Sequence, residues 1–102
     1  MRSLFSIIYR NVLKPGRSAE DVKRWLKKYW PDHQRLGATE IYAYQPIYFS
    51  EAGVFYVQYR LKSLDKYLEG IGSPECGEML KSLGEIVDAA QTTAQVMIEI
   101  PV

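Results

Sequence analysis

Leu4-Phe5-Ser6-Ile7-Ile8-Tyr9-Arg10 alternates along its length and is rich in β-branched and aromatic residues, which predicts a strand. Lys14-Pro15-Gly16 predicts the turn that ends it. Ser18 with Asp21 three residues on is a capping-box arrangement at a helix start. Val22, Trp25, Leu26, Tyr29 and Trp30 then recur at helical spacing, with Lys23, Arg24, Lys27 and Lys28 on the opposite face. Pro31 disfavours a helical conformation at Trp30, so a kink or break is expected there, with Gly37 closing the segment.

Residues 39–49 predict a second strand, with Ile41 and Ala43 on one side and Tyr42, Tyr44 and Tyr48 on the other. Pro46 cannot donate to a ladder, which puts this strand at an edge. Ser50-Glu51-Ala52-Gly53 reads as a hairpin turn, and residues 54–62 as a third strand. Ser63 is placed to cap a short helix bearing Leu64, Tyr67, Leu68 and Ile71. Ser73-Pro74-Glu75 restarts a helix whose expected buried stripe is Cys76, Met79, Leu80, Leu83, Ile86, Val87 and Ala90. Residues 94–101 complete the chain as a last strand. The order is β-α-β-β-α-β in a single domain over 1–102. It predicts an α+β, ferredoxin-like fold: a four-stranded antiparallel sheet with both helices on one face.

Strand parity then divides the side chains. Phe5, Ile7, Ile41, Ala43, Phe55, Val57, Leu61, Val96 and Ile98 form an apolar face that must meet the helices. The other face carries Ile8, Arg10, Tyr42, Tyr44, Tyr48, Tyr56, Gln58, Arg60, Met97 and Glu99. A one-residue slip of register would put Arg60 and Glu99 beneath the helices, at a high desolvation cost. The tyrosine-rich face is too aromatic to stand in water without a reason. A second copy of the chain could cover it, or it could bind a ligand. Glu99 on the same face as Arg10 and Arg60 predicts an ion pair.

Composition narrows the chemistry. The chain has 102 residues, 47% of them hydrophobic and 25% charged, which is a folded domain's balance. A chain this short buries a limited share of its surface, which favours an oligomer. A net charge of +1 argues against a footprint for duplex DNA. One cysteine excludes an internal disulfide or cysteine-built zinc site, and one histidine excludes a histidine-rich metal site within the chain. No apolar run reaches the length of a membrane span and no signal-peptide core follows Met1, so the expected location is cytoplasmic. There is no phosphate-binding glycine loop or dinucleotide fingerprint, so no cofactor is expected.

Cys76 falls on a buried stripe and reads as structural. His33, just beyond Pro31, reads either as a helix-end histidine or as the one obvious proton shuttle at neutral pH. In the second reading His33 is a general base and Arg60 steadies an oxyanion. Trp30, Tyr42, Tyr44, Tyr56 and Met97 would line a cleft for a flat, largely apolar molecule, with Arg10, Arg60 and Gln58 orienting a carboxylate, phenolate or carbonyl oxygen. Asn11, after the first strand, suits a turn.

The element order, the Tyr42/Tyr44 strand, the Gly53-to-Leu61 strand and the helical region opened by Ser73-Pro74-Glu75 together resemble the dimeric α/β barrel superfamily. Tyr29, Trp30, His33 and Leu36 are similar to the Tyr-Trp-x-x-His-x-x-Leu stretch of its EthD-like members, with departures at Pro31 and Arg35. The resemblance implies a homodimer whose two sheets pack face to face, each with a cleft between sheet and helices. Its members include antibiotic-biosynthesis monooxygenases, haem-degrading enzymes, muconolactone isomerases and polyketide cyclases. Haem degradation is disfavoured, because no histidine lies between Ser63 and Ala90. The resemblance also offers a second reading for Asn11, since cofactor-free monooxygenases of the superfamily carry an asparagine near this place. The expected function is binding, or cofactor-free isomerase, cyclase or monooxygenase chemistry, on a carbonyl or phenolic compound. A non-catalytic dimeric module is the alternative. RNA-recognition domains share the element order, and Gly53, Tyr56, Val57 and Tyr59 fit their third-strand motif; single-stranded RNA on the tyrosine face is the remaining reading.

Overall fold

A computed structural model of the chain describes residues 4–47 and 52–102. Strands β1 (Phe5–Val12), β2 (Ala38–Tyr44), β3 (Val54–Leu61) and β4 (Thr93–Ile98) form one antiparallel sheet in the order β2-β3-β1-β4. Helices α1 (Ala19–Arg35), α2 (Leu64–Ile71) and α3 (Gly77–Leu83) connect them. This is the ferredoxin-like β-α-β-β-α-β order, and β2 is an edge strand as expected, although Pro46 lies beyond its end.

The register confirms the division of faces. Tyr59 of β3 stands opposite Ile7 of β1 and Ile41 of β2, Val57 opposite Tyr9 and Ala43, and Phe55 opposite Asn11. These rows face the helices. The alternate rows, Arg60 with Ser6 and Glu40, Gln58 with Ile8 and Tyr42, and Tyr56 with Arg10 and Tyr44, form the open face. The burial of β3 alternates accordingly, from Phe55 through Val57 and Tyr59 to the fully buried Leu61.

Local signals act at the starts of α1 and α2. The Asp21 carboxylate accepts the Ser18 backbone N–H at 2.9 Å, the reciprocal half of the capping box. Ser63 Oγ accepts the Lys66 N–H at 3.3 Å at the start of α2.

Three expectations are corrected. First, α1 runs through Pro31 to Arg35 without ending. Pro31 is exposed, so the carbonyl it leaves without a donor can turn to water, while Trp25, Tyr29 and His33 hold the buried side of the helix in place. Second, the region after Ser73 is a single 3-10 turn over Pro74–Cys76 followed by the short α3. Leu80 and Ala90 are exposed, whereas Cys76, Met79, Ile86 and Val87 are buried as expected. Third, β2 ends at Tyr44 and β4 at Ile98, short of the predicted ends. Tyr48 and most of the predicted hairpin turn lie outside the described residues.

β4 is exposed along its whole length. Val96 and Ile98 have the parity of the helix-facing rows but no helix covers them, and they stand 47% and 59% exposed. Among the described residues no helix is long and apolar enough to cross a membrane.

Candidate active-site cavity

Between the helix-facing side of the sheet and the helices lies a cavity of about 310 Å³. Its walls are apolar: Val22, Trp25 and Leu26 of α1, Phe55 and Val57 of β3, Ile71 of α2 and Leu83 of α3. Four kinds of polar group interrupt them.

His33 is the first. It sits eight residues after Trp25 and four after Tyr29, so the uninterrupted helix carries it on the buried stripe, and only 2% of it is exposed. Its ring stacks on Tyr59 at 4.4 Å between centroids, nearly parallel, and meets Trp25 edge-on at 5.6 Å. His33 Nδ1 donates to the Tyr29 carbonyl at 2.8 Å. That bond fixes the neutral tautomer and leaves Nε2 with a free lone pair. Nε2 has no hydrogen-bond partner among the described residues. Burial pushes the ring below the ordinary histidine range, with the Tyr29 bond opposing it, so His33 is neutral at pH 7.

The tyrosines are the second kind. Tyr9 and Tyr67 share a hydroxyl–hydroxyl bond of 3.1 Å. Tyr59, beneath His33, has no hydrogen-bond partner for its hydroxyl among the described residues and meets Tyr9 edge-on at 6.1 Å. Burial raises all three above the ordinary phenol range, which keeps them as neutral donors. Asn11 is the third. It lies on β1 and not in a turn, with 4% of it exposed. Its Oδ1 accepts the Thr92 hydroxyl, the fourth polar group, at 3.5 Å, while its Nδ2 has no partner among the described residues. Unpaired polar atoms in an apolar cavity are what a ligand or ordered water would satisfy.

The residues expected to form one site are divided by the sheet. Arg60 follows Tyr59 in β3 and therefore points to the opposite face from His33. Arg10, Tyr42, Tyr44, Tyr56, Gln58 and Met97 lie with Arg60 on the open face, so His33 cannot reach a ligand resting on Tyr42 and Tyr56. Trp30 lies on the helix side but outside this cavity, in a groove with Lys23, Lys27, Ile41 and Ala43. Arg60 is engaged: Nη1 bonds Glu99 at 2.8 Å and Nε lies 3.6 Å from Glu40, too far to be hydrogen-bonded. The expected Arg60–Glu99 pair is therefore present, and it leaves the guanidinium committed to carboxylates. Tyr42 donates to Glu40, Tyr44 donates to Gln58 at 3.3 Å, and Gln58 donates to Ser6 at 3.1 Å.

Sequence reasoning passed over Tyr9, Tyr59 and Tyr67 as site residues and kept Trp25 as core. The available signal was the parity of β1. Tyr9 and Asn11 share it with Ile7, and an asparagine on the apolar parity of a strand is the anomaly that marks a cavity. Among the described residues no three His, Cys, Asp or Glu side chains stand close enough to hold a metal ion.

No protein-family model matches the sequence, and no curated protein matches it. Solved structures do. A protein of Bordetella bronchiseptica assigned as an antibiotic biosynthesis monooxygenase superposes with a TM-score of 0.80 at 16% identity, over 98% of this chain and 100% of that one. SnoaB, a cofactor-independent oxygenase of Streptomyces nogalater, gives 0.73 at 6% identity, over 96% and 94%. The At3g17210 protein of Arabidopsis thaliana gives 0.73 at 13% identity, over 96% and 97%. At these identities the likeness establishes the fold alone, the ferredoxin-like β-α-β-β-α-β arrangement that these proteins share.

Proposed function

We propose that the chain is a cofactor-free enzyme for a flat, largely apolar carbonyl or phenolic compound, with its site in the cavity under the helices. The observation that carries this reading is His33: a buried, neutral imidazole whose Nδ1 is tied to the Tyr29 carbonyl, at the wall of an apolar cavity. Nε2 would take the proton from a phenol or from a carbon beside a carbonyl. The negative charge left on the substrate oxygen would be met by the Tyr59 hydroxyl or the Asn11 amide, in surroundings where such bonds are strong. The likeness to a cofactor-independent oxygenase and to an antibiotic biosynthesis monooxygenase supports chemistry of this class.

The open face has a different task in this reading. It carries exposed aromatic and apolar side chains, Tyr44 at 51% exposed with Tyr42 and Met97, which a partner surface would cover. A second copy packed on that face would cover the tyrosines and seal the Glu40–Arg60–Glu99 cluster. Arg10, Tyr42, Tyr44, Tyr56, Gln58 and Met97 then hold the assembly together and do not line the reaction site.

2-Tetralone, a two-ring ketone with acidic hydrogens beside its carbonyl, tests the chemistry. In deuterated buffer the wild-type protein should accelerate exchange of those hydrogens, followed by NMR. His33→Phe, which keeps a flat ring on Tyr59, should slow it by about 100- to 10,000-fold. Equal exchange with the two proteins, or no acceleration by either, would overturn the catalytic reading.

A further inference from the structure

Tyr9 of β1 and Tyr67 of α2 come together from distant parts of the chain, and both line the cavity. The Ser63 cap starts α2, and Tyr67 is the residue that this helix buries. The two hydroxyl oxygens are 3.1 Å apart. Each hydroxyl has one proton to donate, and the bond between them uses one of the two. Neither hydroxyl has a further partner among the described residues, so one proton of the pair is unspent.

Burial decides which one. Tyr67 has no surface accessible to water, and a proton turned away from Tyr9 would cost it the full penalty of a desolvated donor. Tyr67 therefore donates to Tyr9. Tyr9 is only half-buried, and its own proton is the one free to turn into the cavity. The acidities follow the same direction: the bond eases ionisation of Tyr9 and opposes that of Tyr67, while burial holds both neutral. A hydroxyl that accepts a hydrogen bond is a stronger donor in its turn. The Tyr59 ring links this pair to His33. It lies nearly parallel to the imidazole at 4.4 Å, edge-on to Tyr9 at 6.1 Å and 6.3 Å from the Tyr67 ring. The cluster thus offers a proton acceptor on one side of Tyr59 and a polarised donor on another.

We infer that Tyr9 is a catalytic hydrogen-bond donor to the substrate's carbonyl oxygen, beside the Tyr59 hydroxyl or the Asn11 amide, and that Tyr67 is the positioning residue that aims and polarises it. This rests on the cavity being the reaction site. The substrate class is an enolisable ketone. As His33 Nε2 takes the proton from carbon, the electron pair of that C–H bond forms the carbon–carbon double bond and the carbonyl π pair moves onto oxygen. Tyr9 keeps its proton and holds the enolate oxygen by a hydrogen bond that strengthens as charge arrives. Return of a proton from the imidazolium to carbon restores the ketone.

2-Tetralone labelled with carbon-13 at its carbonyl tests this by NMR. Bound to the wild-type protein, the carbonyl resonance should lie downfield of its position in Tyr9→Phe. Tyr9→Phe should also slow hydrogen exchange by about 100-fold, the loss of one donor to a developing oxyanion. Tyr67→Phe, at a side chain that touches no substrate, should give an intermediate carbonyl shift and slow exchange by about 3- to 10-fold. If Tyr9→Phe does not fold, the shift and rate of Tyr67→Phe against wild type decide the matter. The same carbonyl position in the wild-type protein and the folded variants overturns the inference. So does exchange untouched by Tyr9→Phe, or a loss in Tyr67→Phe larger than in Tyr9→Phe. A protein whose exchange falls with His33→Phe but not with Tyr9→Phe loses this inference alone. One that neither binds nor exchanges the ketone loses the catalytic reading with it.

Discussion

The two faces of the sheet are built from the same strands and carry the same kind of side chain. Tyr9 and Tyr59 lie on one face, Tyr42, Tyr44 and Tyr56 on the other, and β3 contributes to both. On the open face tyrosine hydroxyls are paired with neighbours in water, Tyr42 with Glu40 and Tyr44 with Gln58. On the helix side the tyrosines are desolvated. Tyr67 is wholly buried, and the Tyr59 hydroxyl is without a partner among the described residues. The difference teaches that aromatic abundance marks a surface needing cover, while unpaired polar atoms in a dry cavity mark a place for a ligand.

Truncation should separate the faces most sharply. Tyr67→Ala removes a fully buried ring and should cost about 3–5 kcal/mol in urea unfolding. Tyr44→Ala should change the stability of the single chain by less than about 0.5 kcal/mol. Comparable losses at both positions would erase the distinction between core and open face.

Self-association probes the open face directly. Tyr56→Ala should weaken a dimer by about 2 kcal/mol, roughly 30-fold in its dissociation constant, if that tyrosine is a central anchor of the interface. Sedimentation at graded concentrations reads this, and 2-tetralone exchange per intact site should be unchanged. A wild-type chain that sediments as an 11.8 kDa monomer at micromolar concentration removes the dimer.

Acid should act through the cavity side. The unfolded chain's histidine takes up a proton near pH 6.5. The folded chain resists until lower pH, because burial disfavours the charged ring. Protonation therefore favours unfolding: His33's contribution is intact above about pH 6.5 and is lost as pH falls through the folded value. His33→Phe should flatten that part of the pH–stability profile. A profile unchanged by the substitution would mean His33 is not desolvated in solution.

The smallest effect concerns one hydroxyl. Tyr67→Phe keeps the ring and removes the bond to Tyr9, and should cost about 1 kcal/mol. A loss as large as that of Tyr67→Ala would show that the hydroxyl, and not the ring, holds this part of the core.

The faces themselves were legible. Period-two alternation placed Ile7, Ile41, Val57 and Leu61 under the helices and Arg10, Gln58 and Arg60 away from them, and the register agrees. The Arg60–Glu99 pair and the caps at Ser18 and Ser63 were legible for the same reason: each depends on residues near in sequence or sharing a parity. His33 was not. Pro31 weakens the helix locally, and the stacking of His33 on Tyr59 of β3, with Trp25 packed beside it, outweighs it.

Sequence alone therefore determined the order of elements, the edge position of β2 and the split of side chains between two faces, because backbone geometry imposes those periods residue by residue. The tertiary structure alone decided that His33 is buried, that Asn11 belongs to a strand, and that a gap remains among Tyr9, Trp25 and Val57. A cavity is the volume left over when helices of given length and tilt are laid on a sheet. Leu83 ending α3 and α1 passing Pro31 set that volume jointly, and no local pattern encodes it.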